Sequence, residues 1–138
     1  MNYGQARAYA VNVSRSGSIL GLDSIENLMH ELGDIQERLK IIHIAGTNGK
    51  GSTGAYLERV LIEAGYRVGR YSSPAVFDPM EVWRINLQSM SHEEYADIME
   101  QVKCACDRMV EKGMEHPTIF EVETAMAFLY FYQKKCDY

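Results

Sequence analysis

Apolar positions along this chain recur at helical spacing in several stretches and run together in two others. From Tyr3 to about Arg15 the pattern reads as a helix, which Gly17 and Gly21 break. Ile25, Leu28, Met29 and Leu32 follow at i, i+3, i+4 and i+7, the stripe of an amphipathic helix. Asp23 stands as its N-cap with Glu26 at the capping-box position, and Gly33 as its stop. Ile41 to Ala45 is an apolar run broken only by His43, the pattern of a strand buried on both faces of a parallel sheet. Leu57, Val60, Leu61 and Ala64 then form one helix face, which Gly65 ends, and Arg67 to Tyr71 is a second strand. Strand, helix, strand in that order predicts a βαβ unit.

Ser72 to Trp83 carries two prolines and no period, so it reads as an ordered loop, with Arg84 to Leu87 as a short strand. Ser91 and Glu94 form a second capping box. It opens a long amphipathic helix marked by Tyr95, Ile98, Met99, Val102, Cys106 and Met109 and ended by Gly113. The last helix spans about Phe120 to Lys134. It is apolar nearly all round from Val122 to Tyr132, which predicts a central buried helix. The fold class is α/β, a parallel sheet with flanking helices. The chain stops at Tyr138, where a third parallel strand is expected to start, so the sheet is expected to be incomplete and the chain to be part of a longer protein.

The first strand runs into Gly46-Thr47-Asn48-Gly49-Lys50-Gly51-Ser52-Thr53, and a helix follows. Glycines let backbone N–H groups turn toward phosphate oxygens, and a helix N-terminus adds unpaired N–H groups and a positive dipole end. Lys50 supplies a mobile charge, and Ser52 or Thr53 offers a hydroxyl to Mg²⁺. The common pattern G-x-x-x-x-G-K-[ST] is not met, because the spacing is two residues shorter and Gly51 is inserted after the lysine. The plain alternative is a glycine-rich turn with no ligand.

The string Gly-Thr-Asn-Gly-Lys-Gly-Ser resembles the nucleotide loop of the folylpolyglutamate synthase / dihydrofolate synthase family, a branch of the Mur ligase superfamily. Gly21-Leu22-Asp23 with Leu32-Gly33, Ala64-Gly65-Tyr66-Arg67-Val68-Gly69, Tyr71-Ser72-Ser73-Pro74 and Thr118-Ile119-Phe120-Glu121 with Thr124-Ala125 resemble further family segments. The resemblance implies that residues 1–138 are the N-terminal part of an ATP-binding, P-loop-containing, Mur-ligase-like domain. It implies too that a C-terminal glutamate-ligase domain lies outside this chain. The implied activity joins L-glutamate to folate or dihydropteroate through an acyl phosphate, with ATP and Mg²⁺, within folate and one-carbon metabolism. The chain alone is expected to lack turnover.

Roles carry over at matched positions. Thr47, Asn48, Gly49 and Lys50 bind the ATP phosphates, Gly46 and Gly51 permit the turn, and Ser52 and Thr53 open the helix. Lys50 is the catalytic candidate, neutralising charge in phosphoryl transfer. Ser73 matches a Mg²⁺ ligand, with Ser52 as a second hydroxyl. Pro74 opens the loop near the folate; the rival for Ser72-Ser73-Pro74 is a plain turn. The pterin side falls to Asn12, Val13 and Ser14 and to Thr118, Ile119, Phe120 and Glu121. Thr118 and Glu121 are equally explained as a capping box.

The chain departs from the family at Ala75, where many members have histidine, and over Phe77 to Ile85, in which Glu81, Arg84 and Ile85 stand as remnants of the family stretch. Trp83 is either a pterin-stacking ring or, more simply, packing under the loop. His43 is either a hydrogen-bonded core histidine or a base.

Composition adds bounds. At 138 residues there is one domain at most, and 46% hydrophobic with 24% charged residues is that of a globular protein. The formal charge of −5 argues against nucleic-acid and membrane partners but leaves room for a basic pocket around Lys50 and Arg70. Three cysteines make no disulfide framework, and they read as free thiols of a cytoplasmic protein. The expected partners are small molecules, with the whole protein a monomer and this chain prone to self-association at its unfinished sheet edge. The other readings are a Mur-type ligase of a cell-wall precursor and a non-catalytic phosphate-binding module.

Overall fold

Helix ends are set by side chains that satisfy the first free N–H groups. The computed structural model describes residues 1–17 and 20–138. Within them lie α1 (Tyr3–Ser14), α2 (Asp23–Glu31), α3 (Lys50–Glu63), α4 (His92–Glu111) and α5 (Ile119–Gln133). Capping boxes open three of these: Asn2 with Gln5 on α1, Ser91 with Glu94 on α4, and Thr118 with Glu121 on α5. Of the three, the Asn2 box was not anticipated from the sequence. α2 differs from expectation, because Asp23 is its first helical residue and Leu22 is an N-cap without a side-chain bond. Gly33, Gly65 and Gly113 follow their helices at φ of 85°, 91° and 84°, the left-handed stop that glycine allows.

The core is made by α1, α2, α4 and α5. Leu28, Tyr95, Met99, Val102, Val122 and Met126 are fully buried there. Each such side chain contributes about 1.5–3 kcal/mol relative to leaving it in water. Trp83 joins this core at 1% exposure, its indole N–H donating to the Glu123 carbonyl at 3.1 Å and its ring tilted against Tyr95. It is packing under the loop. α5 is buried through Val122, Ala125, Met126, Leu129 and Tyr130, whereas Phe120 is 63% exposed. From Val122 to Tyr132 every residue is buried or half-buried, Ala127 included at 1%, as the expected central helix requires, and the exposed Phe120 lies before that stretch.

The strands are short: β1 (Gly69–Tyr71), β2 (Trp83–Ile85) and β3 (Gln88–Ser89). They form a sheet in the order β1-β2-β3, and both pairings are antiparallel. β1 and β2 align Gly69 with Ile85, Arg70 with Arg84 and Tyr71 with Trp83. The expected parallel sheet is thus not found among the described residues. Residues 41–45 are not a strand: no backbone bond joins them to another described residue, and Ile41 and Ile42 are 54% and 49% exposed. Apolar sequence marks what wants to be buried, but a strand exists only when a neighbour completes its ladder. One parallel-type step does occur at the C-terminus. Gly69 N–H donates to the Tyr138 carbonyl at 2.9 Å, and Tyr138 N–H to the Arg67 carbonyl at 3.4 Å.

Candidate phosphate-binding site

Gly49 is the N-cap of α3, and its backbone is left-handed (φ 77°, ψ 1°), a conformation that costs a residue with a Cβ roughly 1 kcal/mol or more. No side chain caps this helix. Thr53 N–H bonds back to the Gly49 carbonyl at 2.9 Å, while the N–H groups of Lys50, Gly51 and Ser52 have no backbone acceptor among the described residues. Three exposed donors thus face outward at the positive end of a helix. The Lys50 ammonium folds back to donate to the Gly46 carbonyl. Thr47 and Asn48 lie exposed in the turn between.

Beside the loop sits a buried ion cluster of which the sequence reading named Arg70 and Arg84 but not Glu58. Gly51, Gly54 and Glu58 fall at i, i+3 and i+7 on one face of α3. The Arg70 guanidinium, carried by β1, lies along that face. It donates to the Glu58 carboxylate at 3.0 Å and to the Gly51 carbonyl at 3.0 Å. Gly54 makes room for it: a Cβ there would meet the guanidinium at 3.2–3.3 Å. Arg84, opposite on β2, reaches the same Glu58 oxygen at 3.6 Å. The Glu58 side chain is 2% exposed, and its Oε1 has no hydrogen-bond partner, nor has the buried Arg84 Nε.

A cleft of about 1160 Å³ opens over these residues. It brings together Lys50, Gly51, Ser73, Pro74 and Phe120 with the Glu58, Arg70 and Arg84 cluster. Ser73 and Pro74 are exposed at its edge, in a turn that the Ser72 N–H holds to the Val82 carbonyl at 3.0 Å. Glu81 braces the next turn by accepting from Val76 N–H and from Phe77 N–H, at 3.0 Å for Phe77. Those two bonds hold its carboxyl below the usual range. His43 is exposed on the cleft rather than set in a buried strand.

The other candidates lie elsewhere. Val13 is core at 4% exposure, and Asn12 and Ser14 are exposed at the end of α1, lining neither this cleft nor the smaller one. Glu121 accepts from Thr118 N–H at 2.8 Å and from Ser24 Oγ at 3.0 Å, and lines a separate cavity of about 240 Å³. Thr118 is buried as its capping partner, and Ile119 is half-buried beside it.

Uncapped N–H groups and a lysine suit a polyphosphate. Metal ligation is thinner: Ser52 and Ser73 offer neutral hydroxyls, and among the described residues no three His, Cys, Asp or Glu side chains stand together to hold an ion. The cysteines are free; Cys104 is exposed, and burial pushes the Cys106 and Cys136 thiols up to about 11, which makes them poor nucleophiles. Among the described residues no helix is long and apolar enough to cross a membrane.

No model of a known protein family matches the chain. Individual proteins do. It is 37% identical over 129 residues to the dihydrofolate synthase/folylpolyglutamate synthase of Bacillus subtilis, covering 94% of this chain and 30% of that protein. A folylpolyglutamate synthase in complex with AMPPCP and folate superposes with a TM-score of 0.89 at 32% identity, over 99% of this chain and 34% of its own. A bifunctional folylpolyglutamate synthase/dihydrofolate synthase with Mn, AMPPNP and L-glutamate bound gives 0.83 at 34% identity, over 96% and 31%. The chain therefore spans about a third of the length of the proteins it matches.

Proposed function

We propose that this chain, a member of the folylpolyglutamate synthase / dihydrofolate synthase family that spans about a third of the length of its enzymes, carries the ATP-phosphate loop of an ATP-dependent ligase adding L-glutamate to folate or dihydropteroate. The observation that carries the reading is the uncapped start of α3, where left-handed Gly49 aims three free N–H groups outward beside Lys50. The matched proteins' complexes with AMPPCP, AMPPNP, folate and L-glutamate support the same ligands. Their names also favour folate over a cell-wall precursor and over a non-catalytic module.

The chemistry needs two anions brought together. A carboxylate is a poor electrophile until phosphorylation gives it a leaving group, and the glutamate amine can then attack the acyl phosphate. The N–H groups of Lys50, Gly51 and Ser52 bind phosphate oxygens, and Lys50 exchanges the Gly46 carbonyl for them, neutralising charge as the phosphoryl group moves. A divalent cation bound with the nucleotide would supply further charge neutralisation. Ser73 and Ser52 are the hydroxyls this chain offers it, so its remaining ligands come from the nucleotide, from water or from residues outside these 138. For that reason residues 1–138 alone are expected to show no ligase turnover, though they bind nucleotide. Pro74 and Phe120, on the same cleft, border the folate or dihydropteroate. Asn12, Val13, Ser14, Thr118, Ile119 and Glu121 belong to that side of the site only if the cleft and the smaller cavity act together.

Calorimetric titration with ATP·Mg²⁺ tests the reading. Saturable binding by the wild-type chain that Lys50→Ala weakens by at least about tenfold is the expected result, since a charged hydrogen bond to phosphate is worth about 1.5–3 kcal/mol. A folded wild-type chain that takes up no nucleotide overturns it.

A further inference from the structure

Arg70 sits where it can set the shape of the phosphate loop through the backbone, by its bond to the Gly51 carbonyl. One of its guanidinium nitrogens holds Glu58, which is fixed in the interior, and the other holds the carbonyl of Gly51, the residue after Lys50. The planar fork spans both acceptors at 3.0 Å while its face rests on the bare backbone of Gly54. β1 therefore grips the first turn of α3 along its Gly51–Gly54–Glu58 face, which lines the same cleft as Lys50. Glu58 faces Arg70 and Arg84 together, so one carboxylate is set against two cations beside the donors that would meet phosphate.

We propose that Arg70 is the positioning residue of the phosphate loop. It fixes the Gly51 carbonyl, and with it the direction of the Lys50, Gly51 and Ser52 N–H groups, with Glu58 as its anchor. The inference rests on the phosphate-binding reading above. A lysine at position 70 keeps a charge for Glu58 but lacks the fork that reaches both acceptors, so Arg70→Lys separates holding the fold from aiming the loop.

The test is ATP·Mg²⁺ titration of the whole chain with thermal unfolding of each variant alongside. Arg70→Lys is expected to unfold near the wild-type temperature yet bind nucleotide about tenfold more weakly, in keeping with one lost charge-assisted bond. Gly54→Ala, which keeps both charges and crowds the guanidinium by a few tenths of an ångström, is expected to weaken binding in the same direction by a smaller factor. Wild-type affinity in a folded Arg70→Lys or Gly54→Ala chain overturns the positioning role. So does failure of both variants to fold, which would make Arg70 a support of the fold alone. A wild-type chain that binds no nucleotide overturns the phosphate-binding reading itself, whatever the variants do.

Discussion

Glu94 shows how one side chain couples the helix frame to pH. It belongs to the capping box of α4, accepts from Ser91 N–H at 2.9 Å, pairs with Lys134 at 2.6 Å and accepts from the Tyr130 hydroxyl at 3.1 Å. Burial works against its charge, but the bonds from Lys134 and Ser91 outweigh it and hold the carboxyl at about 2, down from an ordinary 4.5. Between those two values the unfolded chain binds a proton that the folded chain refuses. The stabilisation is therefore complete above about 4.5 and lost as pH falls toward 2. Urea midpoints measured across that window should fall less steeply with acid in Glu94→Gln than in wild type; parallel slopes would show that Glu94 does not contribute. This residue was legible in advance as a cap, because Ser91-x-x-Glu94 is a local pattern. Its partners Lys134 and Tyr130 were not, since they come from another helix. The loop glycines and Lys50 were legible for the same local reason. The Arg70–Glu58 pair was hidden by its separation in sequence, although the spacing of Gly51, Gly54 and Glu58 on one helix face was there to be read.

Among the elements, the β2–β3 hairpin is built on an unfavourable turn. Asn86 and Leu87 link the strands with φ of 47° and 70°, both left-handed, as a two-residue hairpin turn of this hand requires. Asparagine accepts that conformation, and Asn86 further earns its place by accepting the Val68 N–H at 2.9 Å through its side chain. Leucine does not suit it, and Leu87 is 44% exposed, so little burial offsets the strain. Leu87→Gly is expected to raise stability by about 1 kcal/mol, the cost of holding a Cβ in that region less the greater freedom of glycine when unfolded. A denaturant midpoint at or below wild type would contradict this. The helices were readable because period, caps and glycine stops are all local. The sheet was not, because Ile41 to Ala45 has strand composition but finds no neighbour, while β2 and β3 are too short to show a period.

At the scale of the molecule, the apolar surface is divided unevenly. The faces of α1, α2, α4 and α5 close on one another, while the helix face expected of α3 stays open: Val60 is 64% exposed, and Leu57 and Leu61 line the large cleft. Ile41 and Ile42 flank it with unpaired backbone, and Phe77 is 94% exposed beyond. Soluble monomers seldom leave contiguous apolar patches beyond a few hundred Å² uncovered, and unpaired extended backbone next to such a patch invites pairing. The cleft beside Lys50 is thus also the side on which self-association is expected. We expect residues 1–138 to self-associate, with a mass by light scattering that climbs with protein concentration. Ile42→Lys, which places a charge on that exposed apolar side, should lower the association without changing the unfolding temperature measured in dilute solution. A concentration-independent monomer mass would contradict the idea. An Ile42→Lys chain as associated as wild type would likewise contradict the assignment of the contact to this cleft.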